Sequence, residues 1–341
     1  MEKIKHALHY LHPVRVTQSL YLFLKDESIG GKLVIAAALL SLVVVNSPLG
    51  AHYDHFWEQT LSIGISSWTL ELTLIDWLNE GLMALFFLVV GLEIKREFTR
   101  GELRERRTAM LPIGAAIGGL VFPAFFYLAF TANTDAVHGW GIPISTDTAI
   151  AIAVLALLRD RVPIQLKIFL LALAVADDVL AITVITLFYS ANVDFIFIAI
   201  SIALIAGIYI FRSYLTKRLS LVVALGVLLW LAAHEGGVHA SVVGVVMGLL
   251  APIPAAGNEV STPEKVERFF LPITTLFIVP LFAFANAGVI LSAEPFLRDQ
   301  SIIFGIIAGL TIGKVLGVVL VSWILVKLGK VPPIKINSTF S

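Results

Sequence analysis

Long apolar runs recur along this whole chain, and they constrain its fold more than any other feature. Ten such segments cover residues 30–49, 80–98, 108–130, 141–158, 166–189, 194–211, 219–235, 237–253, 269–291 and 301–326. An apolar helix of about 20 residues crosses the roughly 30 Å hydrocarbon layer of a bilayer. Because backbone groups in lipid must be satisfied within the protein, we predict an all-α polytopic membrane protein with about ten transmembrane helices.

The composition agrees with this fold class. Charged residues make up 14% of the 341 residues and hydrophobic residues 58%, with a mean hydropathy of +0.92. A soluble domain carries about 25% charged residues, so these values argue against a water-soluble enzyme. The net charge of zero gives no support to nucleic-acid binding. With no cysteine, the chain has no disulfide and no Cys-based metal or redox centre.

Two regions lie outside the apolar pattern. Residues 1–29 combine cations with a short apolar patch and lack a small-residue cleavage site, which predicts a cytoplasmic or interfacial segment. Residues 50–79 alternate weakly between polar and apolar, which predicts a small extramembrane β-hairpin. The chain is therefore expected to divide into the N-terminal segment, a transmembrane domain at 30–326 and a cytoplasmic tail at 327–341.

The cations indicate the orientation. The chain has 24 Lys and Arg residues. All except Arg298 and Lys314 lie in the two termini or in loops that the ten predicted spans place on one side of the membrane. Loops rich in Lys and Arg stay in the cytoplasm, so both termini are expected there. A missing span would reverse every later loop, so this bias also supports the count of ten.

Four charged residues lie inside apolar segments: Asp147, Asp177, Asp178 and Lys314. An ionised group at membrane depth costs about 2.5–3.5 kcal/mol on insertion scales, so such residues face a polar cavity or a partner. At 1.5 Å per residue, Asp177 and Lys314 lie roughly 16–20 Å deep, near the midplane.

The adjacent pair Asp177–Asp178 is the sharpest of these features. Consecutive helical residues point about 100° apart, so the two carboxyls can line neighbouring walls of one cavity but cannot face each other. One could offer oxygen ligands to a hard cation such as Na+ while the other meets Lys314. Burial disfavours an ionised carboxylate, so a proton and a cation would compete for the same oxygens. The alternative is a purely structural salt bridge, which would leave the second aspartate buried and unpaired.

Asp147 follows Pro143, Ser145 and Thr146 in a polar stretch of an otherwise apolar segment. This interruption favours a discontinuous helix whose carboxylate offsets a helix N-terminus. The alternative is an ordinary N-terminal cap, Ser145 or Thr146, that begins a short helix at the membrane surface.

Weaker candidates remain. The charged run Glu93–Glu97 closes the second segment and is typical of a solvated helix end, with a regulatory role as the alternative. His239 opens the eighth segment, where a lone histidine is more often structural than a proton sensor. Asn286 is an intramembrane amide able to hydrogen-bond across helices.

Several collinear motifs resemble the NhaA-type sodium/proton antiporters. They are NEGLMA at 79–84, GLEIKRE at 91–97, TD at 146–147, KIFL at 167–170 with ADD at 176–178, GVHA at 237–240, PLFAFANAGV at 280–289 and IGK at 312–314. The resemblance runs from about residue 30 to residue 330. It implies an inverted-repeat transporter with broken helices, an architecture that comes from the family and not from these residues.

The resemblance also implies roles. Asp178 and Asp177 would bind Na+ and protons, with Asp177 paired to Lys314, and Asp147 with Thr146 would lie where interrupted helices cross. Positions linked to pH activation at the cytoplasmic side are Glu93, Glu97, His239 and Glu267. Relatives expel Na+ or Li+ across the bacterial inner membrane for more than one inward proton, need no cofactor and often dimerise through the hairpin.

In one respect the chain departs from the family. Members have twelve spans, the eleventh being the interrupted partner of the Asp147 segment, and we expect this chain to be truncated after ten. A non-transporting, degenerate homologue is therefore kept as an alternative. An intramembrane aspartyl protease using Asp147 and Asp178 is another, although neither residue has the Gly-x-Gly-Asp context and Lys314 would have no role.

Overall fold

A computed structural model describes residues 13–65, 68–100, 106–144, 162, 164–189, 194–215, 218–252, 261–291 and 299–329. This part of the chain is mostly helical. Its helices are α1 (Pro13–Val45), α2 (Gly50–Trp57), α3 (Leu74–Arg100), α4 (Arg106–Thr131), a 3₁₀ helix (Asp135–Ile144), α5 (Ile164–Phe188), α6 (Phe195–Leu215), α7 (Leu219–Glu235), α8 (Val242–Leu250), α9 (Thr262–Asn286) and α10 (Gln300–Lys327). Strands β1 (Thr60–Ile65) and β2 (Trp68–Thr73) complete it.

Within the described residues, five helical stretches are long and apolar enough to cross a membrane, and they belong to α3, α4, α6, α9 and α10. A sixth arises if α1 from Ile29 and α2, which meet at a bend of 115°, form one broken span. The protein is thus a multi-pass membrane protein. Helix occurs in nine of the ten predicted segments, although α8 covers only Val242–Leu250 of segment 237–253. Segment 141–158 falls mostly outside the described residues, so the count of ten stays a prediction. The predicted boundary at residue 29 falls inside α1, and the division into three parts also stays a prediction.

The predicted hairpin is confirmed. Strands β1 and β2 are antiparallel, with Thr60 opposite Thr73 and Ile65 opposite Trp68. The first part of the 50–79 region is the helix α2 instead, so the hairpin is shorter than the region assigned to it. Thr73 ends β2 and caps α3, because its hydroxyl accepts the Asp76 N–H while Asp76 accepts the Thr73 N–H. This capping box fixes the turn from strand into helix.

Glycines let α4 and α10 approach until their backbones touch. A Cβ atom added to Gly317 would lie 2.1 Å from the Gly118 carbonyl oxygen, and one added to Gly313 would lie 2.9 Å from the Pro123 Cα. Small residues commonly allow such close packing between membrane helices. The contact holds α10, which carries Lys314, against α4.

The larger helix interfaces of the described residues fall into two groups. In the first, α4 packs against α5, α10 and the 3₁₀ helix. In the second, α3 packs against α8 and α9, and α9 packs against α1. Glycines bring α3 and α8 together as well, because a Cβ atom at Gly244 would lie 2.0 Å from the Ala84 carbonyl oxygen.

Replacing Gly317 by alanine is expected to destabilise the protein. The added methyl group has no space against the Gly118 carbonyl, and overpacking of this kind costs about 1–3 kcal/mol. Gly207→Ala on α6 is the matched control, because nothing lies within 4 Å of its added Cβ atom. Thermal unfolding in detergent should show a lower Tm for Gly317→Ala only. Equal Tm values for the two variants would contradict the close packing.

Candidate functional site

The site is built around two charged residues that interrupt apolar helices. Asp177 lies in the middle of α5 and is 4% exposed. Lys314 follows a π-helical turn, Gly309–Gly313, in α10. Because both helices pack on α4, the two side chains meet in the interior of the first helix group.

The Lys314 ammonium makes three contacts at once. It donates to Asp177 Oδ2 at 2.7 Å, to Asp177 Oδ1 at 2.8 Å and to the backbone carbonyl of Ile144 at 2.9 Å. Ile144 is the last residue of the 3₁₀ helix, where carbonyl groups lack helical partners. One ammonium therefore satisfies a buried carboxylate and a helix end together.

Glycines let the neighbouring helices lie close to the Lys314 side chain. A Cβ atom at Gly119 of α4 would lie 3.4 Å from Lys314 Cε, so a larger residue there would crowd the lysine stem. A Cβ atom at Gly309 would lie 2.9 Å from the Pro143 Cβ, which shows how closely α10 approaches the 3₁₀ helix. The position of the ammonium is thus set by packing as well as by charge.

The arrangement can exchange cations chemically. The ammonium bonds both Asp177 oxygens, so a metal cation that approaches them competes with Lys314. Alkali cations prefer oxygen ligands of this kind. The charge of the site stays the same only when a proton leaves the site as the metal cation binds.

Asp178 is partly exposed, whereas Asp177 is buried. The sequence argument against a structural salt bridge assumed that the second aspartate would be fully buried, and this assumption is wrong. On a helix the Asp178 side chain points about 100° away from that of Asp177, outside the tightest packing. A partly exposed carboxylate on α5 fits one that lines a water-filled cavity.

Thr146 and Asp147, the other two predicted site residues, lie outside the described residues, as does most of the interrupted segment. The described part ends at Ile144, and residues 141–144 belong to a 3₁₀ helix. The discontinuous helix near Asp147 therefore stays a prediction.

A second cluster of charges joins the end of α3 to the start of α9. Arg96 forms an ion pair with Glu267 and lies 3.7 Å from Glu93, while Arg100 Nη1 lies 2.8 Å from Glu264 Oε1. Glu267 is 5% exposed. Glu93, Arg96 and Glu97 are partly buried, so the interpretation of this run as a solvated helix end is wrong: acidic residues of α9 cover it.

His239 does not join this cluster. It is exposed and lies just before α8. Gly244 of α8 contacts Ala84 and Gly248 contacts Gly91, so α8 runs parallel to α3 and His239 lies near the α3 end that begins with Leu74. Grouping His239 with Glu93 and Glu267 on one side was therefore wrong.

Other polar contacts cross helices near that end of α3. The side-chain amides of Asn79 and Asn286 bond to each other at 3.0 and 3.3 Å, which confirms the expected hydrogen bond of Asn286 across helices. His234 Nδ1 lies 2.8 Å from Glu80 Oε2, and the His234 ring stacks on Trp230.

Sequence reasoning missed two participants of these sites. The Ile144 carbonyl is a backbone atom of an apolar residue, and only the preceding Pro143 hinted at irregular backbone. The partner of Glu80, His234, lies at the end of an apolar helix, and nothing in the spacing of the two residues links them.

Comparison with known proteins decides the family. The model of the family described as Na+/H+ antiporter 1 matches residues 22–336. This chain belongs to that family. It is 42% identical over 308 residues to the Na(+)/H(+) antiporter NhaA of Shewanella pealeana, covering 90% of this chain and 78% of the relative. It is 39% identical over 309 residues to the NhaA of Vibrio cholerae, covering 90% and 79%.

A more distant organism gives the same result. The chain is 37% identical over 310 residues to the Na(+)/H(+) antiporter NhaA 2 of Clostridium beijerinckii, covering 90% of this chain and 77% of the relative. The family consists of transporters, so the resemblance stated from the motifs is confirmed and the aspartyl protease alternative is wrong. Asp177, Asp178 and Lys314 all lie within the matched residues.

Removal of the ammonium is expected to destabilise the protein strongly. Lys314→Met leaves the Asp177 carboxylate buried without its cation, which costs about 3–5 kcal/mol. Adding Asp177→Asn to this variant removes the uncompensated charge and should restore most of the lost free energy of unfolding. Reversible unfolding of the single and double variants measures this cycle. Strictly additive losses would contradict a direct interaction between the two residues.

The Arg96–Glu267 pair is testable by charge reversal. Arg96→Glu places a carboxylate against buried Glu267 and should cost at least about 1.5–3 kcal/mol, and Glu267→Arg in the same chain should recover part of it. Lys95→Glu, at a partly exposed neighbouring position, is the control and should have little effect. Thermal unfolding of the variants measures the recovery. If Glu267→Arg does not raise the Tm of Arg96→Glu, the pairing is contradicted.

Proposed function

We propose that this chain exports Na+ or Li+ in exchange for protons, with Asp177 and Asp178 as the shared site of cation and proton. Membership of the Na+/H+ antiporter family supports the exchange. The burial of Asp177 and its contact with Lys314 support the location of the site.

The observation that carries the proposal is the ammonium on both Asp177 oxygens. A cation that reaches Asp177 replaces Lys314 there, and Asp178, on the next position of α5, supplies further oxygen ligands. Oxygen ligands alone suit a hard alkali cation. Thiolate ligands are not available, because the chain has no cysteine.

Na+ release and proton uptake are coupled because the protein interior has a low dielectric constant. A carboxylate at this depth is costly when it has neither a cation nor a proton. When Na+ binds, one proton leaves Asp178 and a second leaves Asp177 or Lys314; when Na+ leaves, both protons return. More than one proton then moves inward for each Na+ that moves out, so the exchange carries net charge and is driven by the membrane potential.

Alternating access requires that one part of the protein moves against another. The group of α4, α5, α10 and the 3₁₀ helix holds Asp177 and Lys314, and the larger interfaces of α1, α3, α8 and α9 in the described residues form a second group. Rocking of one group against the other would open the site to either side. Asp147 and Thr146 would complete the site by balancing the N-terminal ends of interrupted helices.

The charge cluster of α3 and α9 is a candidate for pH regulation. Glu93 and Glu267 both contact Arg96, and Glu97 follows on α3. Protonation of Glu267 would weaken the link between α3 and α9, whereas protonation of Glu93 would change the charge beside Arg96 within α3. His239, which lies near the other end of α3, would respond to protons separately.

The charge bias of the loops supports a location in the bacterial inner membrane with both termini in the cytoplasm. The hairpin β1–β2 could pair two copies as a homodimer. Its strands are short, and the exposed edges offer backbone groups to a partner strand.

Asp178→Asn is expected to abolish exchange, because an amide cannot release a proton. Everted membrane vesicles that hold a pH gradient report the activity when Na+ or Li+ is added and the gradient collapses. Asp194→Asn is the matched control: Asp194 is exposed and accepts the Ile196 N–H at the start of α6, a contact that asparagine can keep. Equal collapse in Asp178→Asn and the unmodified chain would contradict the proposed site.

A further inference from the structure

One tyrosine ties the far end of α5 to the 3₁₀ helix. The Tyr189 hydroxyl accepts the Gly141 N–H at 2.7 Å and donates to the His138 carbonyl at 2.6 Å. The Trp140 ring packs against Tyr189, with ring centroids 5.8 Å apart. The hydroxyl thus bridges the His138 carbonyl and the Gly141 N–H, which are three residues apart, the spacing of one 3₁₀ hydrogen bond.

The same 3₁₀ helix is held a second time, at its end. The Ile144 carbonyl accepts a hydrogen bond from Lys314, which Asp177 of α5 holds in turn. Asp177 and Tyr189 are 12 positions apart on α5 and its end, about 18 Å along a helix. The 3₁₀ helix is therefore fastened to α5 directly by Tyr189 and indirectly through the ion pair.

A 3₁₀ helix needs such support. Its hydrogen bonds are poorer than those of an α-helix, and runs longer than a few residues are uncommon. This one extends over ten residues and contains Pro143, which lacks a backbone donor. The position of the Ile144 carbonyl therefore depends on contacts outside its own helix. The two bonds of Tyr189, to Gly141 and His138, lie three and six residues before it.

We propose that Tyr189 is a positioning residue for ion exchange: its hydroxyl holds the 3₁₀ helix where the Ile144 carbonyl can bind the Lys314 ammonium. This inference rests on the proposed function. A single position of the ammonium satisfies Ile144 and both Asp177 oxygens, so Na+ that takes Asp177 dislodges Lys314 from all three. A weaker hydrogen bond between Lys314 and the Ile144 carbonyl destabilises the cation-free state, so Na+ competes better with Lys314 for Asp177.

Tyr189→Phe removes the hydroxyl and keeps the ring on Trp140. The Na+ concentration for half-maximal exchange should fall about threefold to tenfold, the effect of one lost hydrogen bond in the cation-free state, with the maximal rate retained. Tyr53→Phe is the matched control, because the Tyr53 hydroxyl bonds the Phe284 and Ala285 carbonyls of α9 in the other helix group. Its half-maximal Na+ concentration should not change.

The mechanism is tested separately by ²²Na+ binding to purified protein. In a Lys314→Met background the Ile144 carbonyl has no ammonium to hold, so Tyr189→Phe should not change Na+ affinity further. An unchanged half-maximal Na+ concentration in Tyr189→Phe, an equal change in Tyr53→Phe, or a persisting effect without Lys314 would overturn the proposal. So would loss of Tyr189→Phe from the membrane while Tyr53→Phe remains, since that indicates a folding role. Absence of any Na+-dependent signal from the unmodified chain would instead count against the proposed function.

Discussion

The structure depends on an ion pair whose two charges would each cost free energy inside a lipid bilayer. Lys314 and Asp177 lie near the middle of apolar helices, where each charge alone would be costly, and together they bring α5 and α10 into contact. The third acceptor, the Ile144 carbonyl, adds the 3₁₀ helix to the same centre. Three elements are thus positioned by one ammonium, and any ligand that replaces it acts on all three.

Close helix packing surrounds this centre. Gly118 and Gly317 bring α4 and α10 into backbone contact, and Gly119 leaves room for the lysine stem. Interfaces of this type have few alternative packings. In the proposed exchange, displacement of Lys314 would therefore move whole helices. This provides a physical route from cation binding to movement of one helix group against the other.

Much of the fold could be predicted from sequence, because lipid imposes length and polarity on every span. The β1–β2 hairpin and the placement of helices were predictable from alternation and apolar runs. The cost of buried charge predicted that one aspartate of the Asp177–Asp178 pair meets Lys314, and the resemblance to the family indicated Asp177. The hydrogen bond from Lys314 to the Ile144 carbonyl could not be predicted, because a backbone carbonyl carries no sequence signal. The burial of Glu267 against Arg96 was also missed, since a charged run at a helix end resembles a solvated surface until the helix that covers it is known.

The central claim is that an alkali cation and protons compete for the Asp177 and Asp178 carboxylates. Calorimetric titration of the purified protein with Na+, in two buffers of different ionisation enthalpy at one pH, tests it most directly. The account predicts heats that differ between the buffers in proportion to the protons released. Identical heats for a measurable Na+ binding event, at every pH examined, would contradict it.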